Sequence, residues 1–166
     1  MSEYTHIVHP FGPLYDDRCE VLILGSLPSV KSREQNFFYG HPQNRFWPLL
    51  ALLFGEDAPK SVEEKKALAL RNRIALWDTI YSCDISGSSD SSIRNAVPTD
   101  LRPILAAAPI RKIFCNGRAS GLYYHKYQEK TLSRSAVTLP STSPANAACS
   151  FERLAEAWTI LRAETE

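Results

Sequence analysis

No two cysteines in this chain stand close enough to form a metal knuckle. Cys19, Cys83, Cys115 and Cys149 are spread over 166 residues without one Cys-x-x-Cys pair. That spacing argues against a zinc or iron–sulfur site and against a disulfide framework. The expectation is a reduced, cytoplasmic protein with no metal and no cofactor, in which Cys115 serves as a small hydrophobe inside an apolar run. Long apolar runs are also missing, so no segment reaches the length of a membrane span. The start Met1-Ser2-Glu3-Tyr4-Thr5-His6 lacks the charged-then-apolar layout of a secretory signal. Charge of one sign is lacking too: 19 basic and 18 acidic side chains leave a net +1. Such a balance neither demands nor excludes nucleic acid, because a local patch can act while the sum stays near zero. No internal repeat is visible.

What is present is the composition of an ordinary globular protein, 44% hydrophobic and 22% charged. At 166 residues the chain can bury a core as one domain, 1–166, and is expected to be a monomer. Four apolar runs at 20–24, 73–77, 111–115 and 136–139 read as strands covered on both faces. Helical patterns lie between them. The stretch 46–54 carries Leu49, Leu50, Leu52 and Leu53, and Ser61-Val62-Glu63-Glu64 is a capping box opening a helix to about Arg71. Two more helices are expected at 119–130 and 151–162, the latter with Leu154, Ala157, Trp158 and Leu161 on one face. This alternation predicts an α/β fold, a three-layer α/β/α sandwich with a central four-stranded parallel sheet. The segment 82–98, with Ser86-Gly87-Ser88-Ser89 and Asp90-Ser91-Ser92, breaks the pattern and reads as a surface excursion. Thr99-Asp100 then caps a short helix carrying Leu101, Ile104 and Leu105.

In such a sheet the ligand sits at the carboxyl ends of the strands. The candidates there are Gly25-Ser26-Leu27-Pro28-Ser29, Asp78-Thr79, Asn116-Gly117 and the segment 140–146. The loop Gly40-His41-Pro42-Gln43-Asn44-Arg45-Phe46-Trp47 follows the first of these turns. Together with Tyr39 it offers an aromatic face, an imidazole and an amide, a set that suits gripping a flat, hydrogen-bonding ring such as a nucleobase.

These residues resemble a known family. Gly25-x-x-Pro28, the block from Tyr39 to Trp47, and Leu139-Pro140-Ser141-Thr142-Ser143-Pro144-Ala145-Asn146 are similar to motifs of the uracil-DNA glycosylase superfamily. The middle block is closest to the mismatch-specific uracil and thymine enzymes. The whole set, with Leu76-Trp77-Asp78 and Asn116-Gly117, most resembles the hypoxanthine-DNA (deoxyinosine) glycosylase branch, and the matches run from residue 22 to about 158. Two positions depart. Leu27 stands where relatives carry the Asn or Asp that handles the attacking water, and leucine can neither accept a proton nor orient water. Leu139 stands where the common uracil enzymes carry a base-stabilising histidine. The resemblance implies catalytic roles for Asn44 and Asn116 and tells against uracil as the main substrate. It implies a monofunctional enzyme of base excision repair acting on DNA containing deaminated bases. With no lysine in the matched motifs, no Schiff base and no strand cleavage are expected. Two other readings stay open: a mismatch-specific uracil or thymine glycosylase, and a catalytically silent member that binds nucleic acid or a free base.

Glycosidic cleavage passes through an oxocarbenium-like sugar and a departing anionic base. A water must therefore be held beneath the anomeric carbon, and charge on the leaving ring must be stabilised. By resemblance the amide oxygen of Asn44 holds the water, its alternative being an N-cap for the helix from Phe46. Asn116 donates to O6 or N7, or else it is a plain Asn-Gly turn residue. Tyr39 stacks on the base or is a half-buried loop tyrosine. His41 meets base or phosphate, or bonds to its own backbone. Asp78 accepts from N1–H or caps a turn, while Gly25 and Ser26 belong to the base-binding turn. Ser141, Thr142 and Ser143 contact DNA phosphates or form a polar surface loop. Phe46 and Trp47 are expected as core anchors, and Arg118, Lys126, Lys130 and Arg134 as either DNA attraction or a solvated face.

Overall fold

Val21, Leu22, Ile23 and Leu24 are fully enclosed, as aliphatic residues are when both faces of a sheet are covered. In the computed structural model, which describes residues 3–87 and 89–165, this run belongs to the second strand in chain order. The strands are β1 (Thr5–Val8), β2 (Val21–Gly25), β3 (Ile74–Asp78), β4 (Ile80–Ile85), β5 (Arg94–Pro98), β6 (Lys112–Asn116) and β7 (Val137–Leu139). The helices are α1 (Val30–Gln35), α2 (Phe46–Leu53), α3 (Val62–Arg71), α4 (Arg102–Ala107), α5 (Arg118–Tyr127), α6 (Glu129–Leu132), α7 (Phe151–Trp158) and α8 (Ile160–Glu164). A 3-10 turn covers Asp90–Ser92. Met1 and Ser2 of the chain start and Ser88 of the serine-rich segment lie outside the described residues.

The four expected strands form one parallel sheet in the order β3-β2-β6-β7, covered by helices as an α/β sandwich. Each starts one residue later than its apolar run, and β2, β3 and β6 end on Gly25, Asp78 and Asn116. The register sets Gly25 beside Asp78 and Asn116 beside Leu139, so the small and polar strand ends stand level along one edge.

The excursion expected at 82–98 is instead part of a second sheet, antiparallel, in the order β1-β4-β5. Ile80, Cys83 and Ile85 of β4 are buried as a small apolar cluster, with Leu27 packed against it. The serines disguised this strand pair because they belong to its turn. Ser92 Oγ accepts from the Ser86 N–H at 2.9 Å and donates to the Ser89 carbonyl at 2.7 Å. Two expected helices are each divided. The segment 119–130 breaks at Gln128, whose buried amide donates to the Thr99 carbonyl at 2.7 Å. The segment 151–162 breaks at Thr159, whose hydroxyl donates to the Glu156 carbonyl at 2.7 Å, a side-chain bond that competes with the helix ladder. Asp100 accepts from the Arg102 N–H at 3.0 Å, as a cap would, but Thr99 donates its hydroxyl to the Asp78 carbonyl at 2.7 Å.

All four cysteines are free. Burial pushes the Cys19 thiol up to about 12 and the Cys115 thiol up to about 11, so both stay protonated and unreactive. Among the described residues no helix is long and apolar enough to cross a membrane.

The loops that border the strand ends are pinned by side chains from the helices. Trp47 Nε1 donates to the Phe38 carbonyl and Trp158 Nε1 to the Pro140 carbonyl, each at 3.0 Å. The Arg45 guanidinium reaches three carbonyls of the loop after β7: Ser143 at 3.1 Å, Asn146 at 3.0 Å, and Cys149. Arg45→Ala strips all three of their charged donor and is expected to lower the unfolding free energy by about 2–4 kcal/mol. The loop 141–149 should then be the first segment cut in limited proteolysis. A denaturation midpoint and cleavage pattern like those of the wild type would refute this.

Candidate active site

The carboxyl ends of β2, β3 and β6 open into a cleft with about 140 Å³ of free space. Gly25, Ser26, Asp78 and Asn116 line it from the strand ends, Tyr39 and Asn44 from the segment before α2. Ser141, Thr142 and Ser143 close it from the loop after β7. Nine of the ten expected site residues are therefore together. His41 is the exception; it lies outside the lining, and its Nδ1 accepts from the Gln43 N–H at 3.1 Å. Ser141 and Ser143 also line an adjoining, more open groove with Arg118. Arg134 is spent elsewhere, donating to the Ile110 carbonyl at 2.7 Å.

Asn116 and Asn44 meet through one hydroxyl. Asn116 Nδ2 donates to Thr142 Oγ1 at 3.0 Å, and Thr142 Oγ1 donates onward to Asn44 Oδ1 at 2.8 Å. Asn116 Oδ1 in turn accepts the Thr142 N–H at 3.0 Å. Thr142, grouped by sequence with the phosphate contacts, is 0% exposed, with its hydroxyl and N–H both occupied in this relay. The loop can come this close because Gly117 turns with φ 98°, where a Cβ would press on Ser141 at 3.0 Å. Asn44 Oδ1 also accepts the Phe46 N–H at 3.0 Å, so the N-cap reading holds alongside the cleft position. With two donors on Oδ1, the part of the Asn44 amide without a partner among the described residues is its Nδ2, not its oxygen.

Tyr39 stacks on Phe46 with ring centroids 4.1 Å apart. Its backbone has φ 53°, a left-handed conformation that costs an aromatic residue roughly 1–2 kcal/mol. Its hydroxyl is buried with no hydrogen-bond partner among the described residues, although it lies near Asp78 and Asn116. Burial, and after it the Asp78 charge, holds this hydroxyl far above the usual tyrosine range, so it remains a donor. Asp78, at the end of β3, is 3% exposed and binds His9 Nε2 through Oδ2 at 2.6 Å. Its other oxygen lies against Gly25, where any Cβ would collide with it. His9 itself sits against Trp77, centroids 4.3 Å apart, with Phe11 edge-on at 4.7 Å.

Three participants escaped the sequence reading. His9 is the buried partner of Asp78, Arg45 is the clamp of the far wall, and Asp90 lines the cleft from the 3-10 turn. Asp90 Oδ1 accepts the Ser26 hydroxyl at 3.0 Å. Asp90 is exposed at its turn, yet desolvation by the surrounding cleft wall pushes its carboxyl up, the Ser26 bond pulls it down, and the Asp78 charge pushes it up again. The signals available were a histidine beyond an alternating run and an acid inside a serine cluster, and neither states what it faces. Among the described residues no group of three or more His, Cys, Asp or Glu side chains could hold a metal ion.

Residues 13–162 match a family model described as the uracil DNA glycosylase superfamily. The chain is 35% identical over 154 residues to a protein of Methanosarcina acetivorans named hypoxanthine DNA glycosylase, covering 92% of this chain and 96% of that one. A Methanosarcina barkeri protein of the same name is 36% identical over 115 residues, 68% of this chain and 73% of its own. Among solved structures, the chain is similar to a solution NMR structure from Methanosarcina acetivorans described as a candidate uracil DNA glycosylase. The TM-score is 0.81 at 32% identity, over 96% of this chain and 100% of that one.

Two substitutions test the packing of the cleft. Tyr39→Phe removes a buried donor without a partner and should raise the unfolding free energy by about 1 kcal/mol. Gly25→Ala drives a methyl group against the Asp78 carboxylate and should cost about 1–3 kcal/mol. Denaturant titration of the two variants beside the wild type checks both signs.

Proposed function

The chain belongs to the uracil-DNA glycosylase superfamily, and on that premise we propose that it is a DNA repair glycosylase that hydrolyses the N-glycosidic bond of deoxyinosine and releases hypoxanthine. The observation that carries the reading is the joining of Asn116 to Asn44 through Thr142, in a cleft whose first turn bears Leu27 in place of an acid or amide. The names of the Methanosarcina relatives support the choice of base.

The target nucleotide leaves the stack, which costs least when inosine is mispaired. Tyr39, braced from behind by Phe46, is the face against which the base lies, a contact worth about 1–3 kcal/mol. Asp78, held through Oδ2 by His9, presents Oδ1 to N1–H of the purine. Asn116 has one Nδ2 hydrogen beyond the one given to Thr142. It donates to O6 or N7 and tightens as negative charge develops there. Asn44, with Nδ2 unpaired, holds the water beneath the anomeric carbon, where good placement matters more than base strength because the cation is very electrophilic. Ser141 and Ser143, with Arg118 beside them in the groove, take the DNA backbone, and His41 offers it only Nε2. These contacts position the duplex without reading sequence. The enzyme is monofunctional, with no covalent step.

The test uses purified protein on oligonucleotides carrying inosine, uracil, xanthine or a thymine mismatch, followed by alkali. Scission at inosine is expected, and Asn44→Ala and Asn116→Ala should each slow single-turnover release by about 100-fold while still binding DNA. Faster release of uracil than of hypoxanthine would favour a mismatch-specific uracil enzyme, and tight binding with no release from any substrate would favour a silent member of the fold. Unchanged rates in both variants would remove the roles given to the two amides.

A further inference from the structure

We propose that Asp90 is a catalytic carboxylate of this cleft, accepting the proton of the attacking water and facing the sugar cation; the inference rests on the glycosylase reading above. The first ground is a shortage of acceptors. Asn44 Oδ1 already receives the Phe46 N–H and the Thr142 hydroxyl, and Asn116 Oδ1 receives the Thr142 N–H. Asp78 gives Oδ2 to His9 and keeps Oδ1 at the buried end of β3 against Gly25. Among the described residues the Asp90 carboxylate accepts only the Ser26 hydroxyl, through Oδ1, which leaves its Oδ2 without a partner there.

The second ground is position. Asp90 lines both the base cleft and the adjoining groove that contains Arg118 and Pro140. A nucleotide with its base in the cleft and its backbone along the groove passes its deoxyribose between them, beside Asp90. The third ground is support. The turn that carries Asp90 is tied by Ser86, Ser89 and Ser92 and by the Ile93 N–H to Asp90 carbonyl bond at 3.3 Å. Ser26, from the end of β2, then fixes the side chain across 64 residues of sequence. This accounts for a serine cluster that no base contact requires.

The step balances as follows. The C1′–N9 bond breaks with its electron pair leaving on the purine, and positive charge spreads over C1′ and the ring oxygen opposite the carboxylate. The water oxygen bonds to C1′, its proton passes to Asp90 and then to solvent, and the purine anion takes a proton from solvent.

Binding to two duplexes separates this role from a structural one: one carries a cationic pyrrolidine in place of the target deoxyribose, the other a neutral tetrahydrofuran. Wild-type protein is expected to prefer the cationic duplex by about 100-fold, as a site built for the cation should. Asp90→Asn should lose that preference, bind the tetrahydrofuran duplex as the wild type does, and release hypoxanthine about 100-fold more slowly. Equal tetrahydrofuran binding reports an intact fold, and the wild-type preference can be measured without any variant. Hypoxanthine release without a cation preference, or a preference and rate kept in Asp90→Asn, overturns the role of Asp90 alone. Absence of hypoxanthine release from the wild type overturns the deoxyinosine reading and this proposal with it.

Discussion

One hydroxyl holds the functional end of this molecule together. Thr142 Oγ1 accepts from Asn116 and donates to Asn44, partners 26 and 98 residues away in sequence. A net hydrogen bond contributes only about 1 kcal/mol, but a buried donor or acceptor left unmade costs about 1–3 kcal/mol. The relay is therefore stable only when complete, and it fixes the Asn116 amide relative to that of Asn44, which the Phe46 N–H also holds. Its completeness depends on the loop after β7 being brought inward. Arg45 does that from one side, through three carbonyls and a backbone N–H to the Thr142 carbonyl at 3.1 Å, and Trp158 from the other through Pro140.

The second sheet explains a residue that looks out of place. Leu27 occupies the turn after β2 and lines the cleft, and its side chain packs on the small apolar cluster of Ile80, Cys83 and Ile85. A carboxylate facing that cluster would lose part of its hydration to apolar neighbours, an unfavourable exchange. The same antiparallel sheet delivers an acid to the cleft from another direction, because the turn between β4 and β5 carries Asp90 over to Ser26. Apolar packing at Leu27 and polar lining at Asp90 are thus two consequences of one structural addition.

How much of this was legible in the residues depended on the range of the interaction. β2, β3 and the helix from Phe46 declared themselves because their apolar runs are continuous and nearly all buried. The antiparallel pair did not. β4 interrupts its buried residues with exposed Tyr81 and half-buried Asp84, and β5 is mostly exposed, so neither shows the alternation that marks a strand. Long helices were over-extended at Gln128 and Thr159, where a side chain satisfies a carbonyl and the ladder stops. His9 belongs to the same class of omission. It precedes Asp78 by 69 residues, and only the pairing of β1 with β4 brings its strand alongside.

By itself, then, the chain's residue pattern determined an α/β sheet of four parallel strands, the small and polar residues at the strand ends, and the block that supplies Tyr39 and Asn44. These follow from local periodicity and from the rule that strand ends meet at one edge. Tertiary structure alone decided that the Thr142 hydroxyl joins Asn116 to Asn44, that Arg45 is a clamp, that His41 stands outside the cleft, and that Asp90 enters it. The Thr142, Arg45 and Asp90 outcomes are hydrogen-bond pairings between segments far apart in the chain, and which donor finds which acceptor is settled only when packing brings those segments together.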